Sequence, residues 1–196
     1  MENTQLETLA RAIAAELGAD WKYREQDEPY PTHRIDGPGE ATLYLRIEYN
    51  AKDRIAIGGS LNIGKHGQYV TVYDEGKRVN APDITVAISR GVSAIVKEIL
   101  RRLLPDYLRI LALAVGRRDA ERTYEAKRRE NLETLAALAC TTVRAGDDVS
   151  SFSFYHNDSA YGDVQASDST VQLKLSSLTL EQAKDIVEYI TNGRAL

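Results

Sequence analysis

This chain of 196 residues contains one cysteine, two phenylalanines and one tryptophan. A single cysteine cannot form an internal disulfide, and Cys140 lies in an apolar helical stretch, so we expect a small buried side chain in a reducing compartment. The three histidines are scattered and no pair has metal-ligand spacing. The sequence therefore predicts no metal site and no cofactor.

Long hydrophobic runs are also missing. The longest candidate, residues 108–115, is interrupted by Arg109 and is far shorter than the roughly 20 residues of a membrane-spanning helix. The first residues have neither the basic nor the apolar region of a secretory signal. We therefore expect a cytoplasmic protein that does not contact a membrane.

Hydrophobic periodicity predicts an N-terminal helix followed by strands. Thr4 and Glu7 form a capping box, and apolar residues recur at helical spacing up to Gly18. An alternation of period two then predicts an antiparallel meander of about four strands, with the helix on its apolar face. The strands are expected at 42–49, 54–61, 69–73 and 83–88, after a short strand at 21–24. Residues 27–40 contain three prolines and two glycines and are expected to form a loop.

The central segment, residues 89–144, has the pattern of a long helix. Pro105 is expected to end or kink it. A continuous helix over 106–144 would be ~59 Å long, whereas a compact chain of this size has a diameter of ~42 Å. We therefore expect either a protruding helical arm, which we favour, or a break at Gly116.

The overall expectation is an α+β fold with mostly antiparallel sheets, an N-terminal helix, a long or kinked central helical segment and a C-terminal βββα unit. The corresponding segments are 1–88, 89–144 and 145–196. All three could also belong to one domain, because the sequence does not decide whether the last unit completes the first sheet.

Charge is unevenly distributed along the chain. Residues 1–88 carry 10 basic and 14 acidic residues, residues 89–130 carry 11 and 6, and residues 131–196 carry 4 and 9. A basic helical segment therefore lies between two acidic flanks, and such asymmetry concerns partners rather than fold. A solvated helix face is the simplest interpretation, and a partner-binding or nucleic-acid-binding helix is the alternative.

Tyrosine is the abundant aromatic residue, with 11 copies. Its apolar ring and polar hydroxyl suit binding surfaces, although it also favours ordinary strands. Tyr44, Tyr69 and Tyr73 each alternate with aliphatic residues, which predicts that they share the polar face of the sheet. The candidate partner-binding residues are these tyrosines, the arginines of the basic segment and an acidic pair: Tyr44, Tyr69, Tyr73, Arg117, Arg118, Arg122, Arg128, Arg129, Asp147 and Asp148.

The segment Gly59–His66 matches a phosphate-binding P-loop up to its last position, where His66 replaces serine or threonine. A strand rather than a helix is expected after Lys65, so the phosphates would have no helix N-terminus to meet. No pairing of a nucleophile with a base is recognisable either. We therefore predict that the protein is not an enzyme.

Four segments, 43–50, 83–89, 96–107 and 177–190, resemble uncharacterised bacteriophage and prophage proteins. The resemblance implies an accessory phage product, a class that includes anti-CRISPR inhibitors of host defence. The leading hypothesis is a non-catalytic protein–protein interaction module, in this class an inhibitor of a host defence complex. The alternative is a nucleic-acid-binding protein that uses the basic central helix. The aliphatic ends of that helix, such as Leu111 and Leu132, also make a homodimer an open alternative.

Overall fold

The fold of the chain is given by a computed structural model, which describes residues 3–25, 32–138, 151–156 and 160–191. Cys140, Asp147 and Asp148 lie outside the described residues. The predicted α+β class is confirmed. The elements are α1 (Asn3–Leu17), β1 (Lys22–Arg24), β2 (Thr32–Asp36), β3 (Thr42–Glu48), β4 (Ala51–Gly59), β5 (Val72–Asp74), β6 (Lys77–Val79), β7 (Asp83–Ala87), α2 (Val92–Glu98), α3 (Leu104–Leu138), β8 (Ser151–His156), β9 (Ala160–Ala166), β10 (Val171–Ser176) and α4 (Leu180–Thr191).

The chain divides into two compact units, Met1–Asp119 and Ala120–Leu196, and the boundary lies within α3. The first unit is built on a five-stranded antiparallel sheet of order β1-β2-β3-β4-β7. The short hairpin β5–β6 forms a separate two-stranded sheet. The predicted strands at 42–49 and 83–88 are confirmed, and the one predicted at 54–61 overlaps β4. The strand predicted at 69–73 is wrong in its bounds and in its sheet, because β5 begins at Val72 and pairs with β6.

One face of the five-stranded sheet forms the core of the first unit. Alternate residues of its strands point to this face, where Leu45 and Ile57 face each other across β3 and β4. Helix α1 contributes Leu6 and Ile13, and the central helical segment contributes Ile99 to the same cluster. The predicted placement of the N-terminal helix on the apolar face is therefore confirmed.

The expected loop over 27–40 is wrong in part, because β2 spans Thr32–Asp36. His33 and Ile35 are buried and alternate with exposed or half-buried neighbours, which is the pattern of a strand with one buried face. Pro31 and Pro38 stand outside the strand in the sequence, so neither removes a hydrogen-bond donor from the sheet.

Pro105 does not end the central helix. A π-helical segment, Ile99–Leu103, joins α2 to α3 immediately before it. Proline has no N–H to donate and its ring crowds the preceding turn, and the wider π-helical turn gives it room. Helix α3 then continues through Gly116 for 35 residues, about 52 Å. The alternative of a break at Gly116 is therefore wrong.

Both apolar ends of α3 pack within their own units. Leu111 belongs to the core of the first unit, and Leu132 packs against Val164 of β9 in the second. The predicted exposure of these leucines on an arm, where a second copy could cover them, is therefore wrong. Their burial removes most of that proposed dimer surface, and the side chain of Leu138 lies outside the described residues.

The second unit has the predicted βββα order, with a sheet of order β10-β9-β8 followed by α4. The side-chain amide of Asn131 donates hydrogen bonds to the carbonyl oxygens of Ser167 (3.0 Å) and Asp168 (3.2 Å) and so fixes α3 to the end of β9. Thr179 and Gln182 cap α4 reciprocally, each side chain bonding the backbone N–H of the other residue. In the described part of the chain, no helix has the length and apolarity needed to cross a membrane.

Tyr107 fastens α3 to the sheet. Its ring is fully buried, and its hydroxyl accepts a hydrogen bond from the Thr42 N–H at 2.8 Å. The same hydroxyl lies 2.9 Å from the Ser60 carbonyl oxygen and 3.0 Å from the Thr42 carbonyl oxygen, to which it donates. The ring packs against Gly59, where any β-carbon would overlap it. Burial raises the pKa of the Tyr107 hydroxyl, which therefore remains a donor at neutral pH.

We expect Gly59→Ala to lower the free energy of unfolding by about 1–3 kcal/mol, because the added methyl group overlaps the buried Tyr107 ring. Gly116→Ala is the matched control: nothing lies within 4 Å of the added methyl group. Alanine should therefore stabilise the helix by up to about 1 kcal/mol. Urea unfolding measures both. Equal stability of the two variants would contradict the described packing of Tyr107.

Candidate functional site

The face of the five-stranded sheet opposite the core, which we call the open face, carries polar side chains. Tyr44 lies on it, and its neighbour across β4 is Gly58. The hydroxyl end of the Tyr44 ring covers Gly58 so closely that a β-carbon there would overlap it. Gly58 therefore makes room for a tyrosine on the open face, as Gly59 does for Tyr107 on the buried face.

A groove begins at Tyr44 and is the candidate site. Its volume is about 440 Å³, within the range of roughly 300–1,000 Å³ typical of ligand pockets. The end of β4, the following loop and the strand β6 supply its walls. We call it the tyrosine groove, and its lining residues are Tyr44, Gly59, Ser60, Leu61, Asn62, Tyr69, Arg78, Asn80 and Ala81.

The chemistry of the lining is that of a recognition surface. It offers two phenol hydroxyls, two side-chain amides and the guanidinium of Arg78, and none of the lining residues is acidic. Arg78 is exposed and forms no ion pair with the other described residues. Burial, and secondarily the charge of Asp83, raises the pKa of Tyr44, so its hydroxyl stays a hydrogen-bond donor.

The three tyrosines singled out by the sequence do not share one sheet face, which corrects that prediction. Tyr44 lies on the five-stranded sheet, Tyr69 precedes β5, and Tyr73 lies on the two-stranded sheet. Turns and the short hairpin break the alternation on which the prediction depended. The structure nevertheless brings Tyr44 and Tyr69 to the same groove, and Tyr73 is the cross-strand neighbour of its Arg78.

Arg117 adjoins this cluster from α3. Its guanidinium carbon lies 5.4 Å from the centre of the Tyr73 ring, within the range of a cation–π contact. Of the sequence-predicted residues, Tyr44 and Tyr69 therefore line the groove with Arg78, and Arg117 is linked to it through Tyr73. Arg78 itself, Asn62 and Asn80 were missed, because they lie on a loop and a short hairpin that only the folded chain brings to Tyr44.

Arg118, another candidate, is instead tied into the first unit. Its side chain is buried and pairs with Glu40 and with Asp119, the latter at 2.8 Å. These hydrogen bonds hold the pKa of the Arg118 guanidinium above its ordinary value. The pair with Glu40 fastens α3 to the loop that precedes β3, and little of the Arg118 charge faces solvent.

The remaining arginines of the candidate set lie further along α3. Arg122 is exposed and forms no ion pair with the other described residues. The guanidinium of Arg128 lies 6.0 Å from the ring centre of Tyr124, and its Nε atom is buried without a hydrogen-bond partner. Arg129 is exposed and makes a contact of its own. The basic segment thus uses part of its charge inside the chain.

The P-loop-like segment does not have P-loop geometry. Lys65 begins a single 3₁₀ turn, Lys65–Gly67, rather than a helix. The first residues of that segment, from Gly59 to Asn62, instead line the tyrosine groove. Among the described residues, no group of three or more histidine, cysteine, aspartate or glutamate side chains could hold a metal ion.

Compared with protein-family models, with curated proteins and with solved structures, the chain shows no significant match. The role of the candidate site is therefore inferred from its geometry alone.

Charge reversal separates a structural arginine from an exposed one on the same helix. Arg118→Glu should lower the melting temperature clearly, because it places a carboxylate against Glu40 and Asp119. Arg122→Glu should leave the melting temperature almost unchanged, as exposed substitutions usually do. Thermal unfolding followed by circular dichroism measures both, and equal effects of the two reversals would contradict the burial of Arg118.

Proposed function

We propose that the chain is a non-catalytic protein–protein interaction module whose partner contacts the tyrosine groove. The composition of the groove is the observation that carries the proposal. Tyrosine, arginine, asparagine, serine and glycine supply most of the lining. Tyrosine and arginine are enriched in protein–protein interfaces, and tyrosine, serine, glycine and asparagine are enriched in the binding loops of antibodies. Tyrosine offers a large contact area with few rotatable bonds, while the amides adapt their hydrogen bonds to the partner.

Arg78 and Tyr69 are the expected energetic centre of the interface. Both are exposed in the free chain, so a partner can cover them, and tyrosine and arginine are the residue types that most often dominate binding energy. Tyr44 forms the inner wall and is held in place by its packing on Gly58. A wall that is already ordered loses little conformational entropy on binding.

The non-catalytic part of the proposal follows from the hydroxyl groups of the groove. Ser60 is the one aliphatic hydroxyl in the lining, and its Oγ accepts a hydrogen bond from the Asn62 N–H at 3.3 Å. No histidine, aspartate or glutamate stands among the lining residues to act as its base.

Nucleic-acid binding by the central helix has weaker support. Arg117 lies over Tyr73, Arg118 pairs with Glu40, and Arg128 lies over Tyr124. The ion pairs of Arg118 remove one positive charge from those that could neutralise phosphates, and the tyrosine rings hold Arg117 and Arg128 in place. The narrower hypothesis, a phage-encoded inhibitor of a host defence complex, stays a prediction that depends on the resemblance in the sequence.

Groove substitutions test the proposal. The immobilised full chain should retain a defined protein complex from bacterial lysate, and Tyr69→Ala or Arg78→Gln should lower that retention at least about tenfold. Tyr49→Ala and Arg122→Gln are the matched controls, because both residues are exposed and neither lines the groove. The controls should retain the complex as the natural chain does.

The proposal is wrong if both groove variants retain the same complex as well as the natural chain. Circular dichroism of each variant shows that the fold is intact before the comparison is made.

A further inference from the structure

The open face next to the tyrosine groove is rich in cationic side chains. Five of them lie on consecutive strands and point away from the core: Lys22, Arg24, Arg34, Arg46 and Arg54. All but the half-buried Arg46 are exposed. The sequence pattern singled out none of these five, because cations that alternate with apolar residues along a strand are typical of an ordinary solvated face.

Strand register places two of these cations, Arg24 and Arg34, in a row that ends at the groove. Arg24, Arg34 and Tyr44 are successive neighbours across β1, β2 and β3, and the row continues through Gly58 to Asp83. Four strand spacings of about 4.8 Å give the row a length of about 19 Å. Since Tyr44 belongs both to this row and to the groove, the two surfaces are continuous.

Most of this positive charge is not neutralised by other residues that the structure describes. Arg24 donates two hydrogen bonds to the carboxylate of Asp36, both 2.7 Å long. Arg34, Arg46 and Arg54 form no ion pair with the other described residues. Like charges directly across a strand pair destabilise a sheet, and Arg24 faces Arg34 in this way. Because the placement of Arg24 opposite Arg34 does not stabilise the fold, it points to a role of these arginines in binding.

We propose that the open face binds an acidic surface of the protein partner, alongside the tyrosine groove. This inference depends on the proposed function, since the same partner would cover both surfaces. An acidic partner supplies carboxylates to Arg34, Arg46 and Arg54, which have none among the described residues, and opposite charges across an interface favour specific association.

The distribution of acidic residues favours a protein over a nucleic acid. Asp36 and Asp83 lie on the same open face as the cations, and Asp83 ends the row beside Tyr44. A polyphosphate would be repelled at these points, and the chain as a whole carries a net charge of −4. A folded partner can meet a mixed pattern with its own acidic and basic groups.

Charge reversal on the open face tests the inference with defined probes. The probes are a poly-glutamate peptide and an oligothymidylate of equal charge, measured at about 50 and 200 mM salt. Arg34→Glu combined with Arg46→Glu should weaken poly-glutamate binding at least about tenfold. The matched control, Arg122→Glu combined with Lys127→Glu, makes the same charge change on exposed residues of α3 and should change the affinity less than about twofold.

The charge-reversed variant could fail to fold, so a milder variant that combines Arg34→Gln with Arg46→Gln is measured as well. Its affinity for poly-glutamate should lie between those of the natural chain and the charge-reversed variant. Nuclear magnetic resonance of the arginine side chains should show Arg34, Arg46 and Arg54 shifting when poly-glutamate is added. Unchanged affinity in both open-face variants would overturn the inference, and so would tighter binding of oligothymidylate through the same arginines. A doubled mass in light scattering that is lost in the open-face variants would also overturn it, because the occupant would then be a second copy.

The partner complex distinguishes this inference from the proposed function. If the open-face variants retain the complex while Tyr69→Ala and Arg78→Gln lose it, the groove binds the partner and the inference about the open face is wrong. If all these variants retain it, the proposed function fails as well.

Discussion

The structure of the first unit depends on the contact between Tyr107 and the end of β4. The buried hydroxyl bonds backbone groups of Thr42 and Ser60, and the ring occupies the space above Gly59. A polar group buried without partners is costly, so these bonds fix the position of α3 as well as satisfying the hydroxyl. The same contact holds the start of β3 against the end of β4, which is where the tyrosine groove opens.

The adjacent glycines at 58 and 59 allow a tyrosine ring to pack on each of the two faces of β4. Consecutive residues of a strand point to opposite faces, so Gly59 admits Tyr107 to the core while Gly58 admits Tyr44 to the open face. Charged side chains are also divided between the interior and the surface. Arg118 is buried and pairs with Glu40 in the first unit, whereas Arg34 is exposed on the open face. The binding surface we propose is thus a consequence of how the core is packed.

Sequence reasoning recovered features that depend on neighbouring residues. The N-terminal helix, the alternation in β3 and the long central helix all follow from short-range patterns, and each was predicted. The strand β2 was missed because its flanking prolines suggested a loop. The groove could not be predicted, since Tyr44, Tyr69 and Arg78 meet only through tertiary packing. A signal existed in the two glycines that end β4, since glycine in a strand often marks a close approach of another group.

The affinity of the Gly58→Ala variant for poly-glutamate tests most directly the claim that the open face of the sheet binds the partner while the opposite face forms the core. The added methyl group overlaps the hydroxyl end of the Tyr44 ring, so the ring must leave its place at the groove and next to Arg34, at little cost to stability. We predict a folded protein whose affinity is about tenfold weaker than that of the natural chain. An unchanged affinity would contradict the account, because Tyr44 and its place on the open face would then have no part in binding.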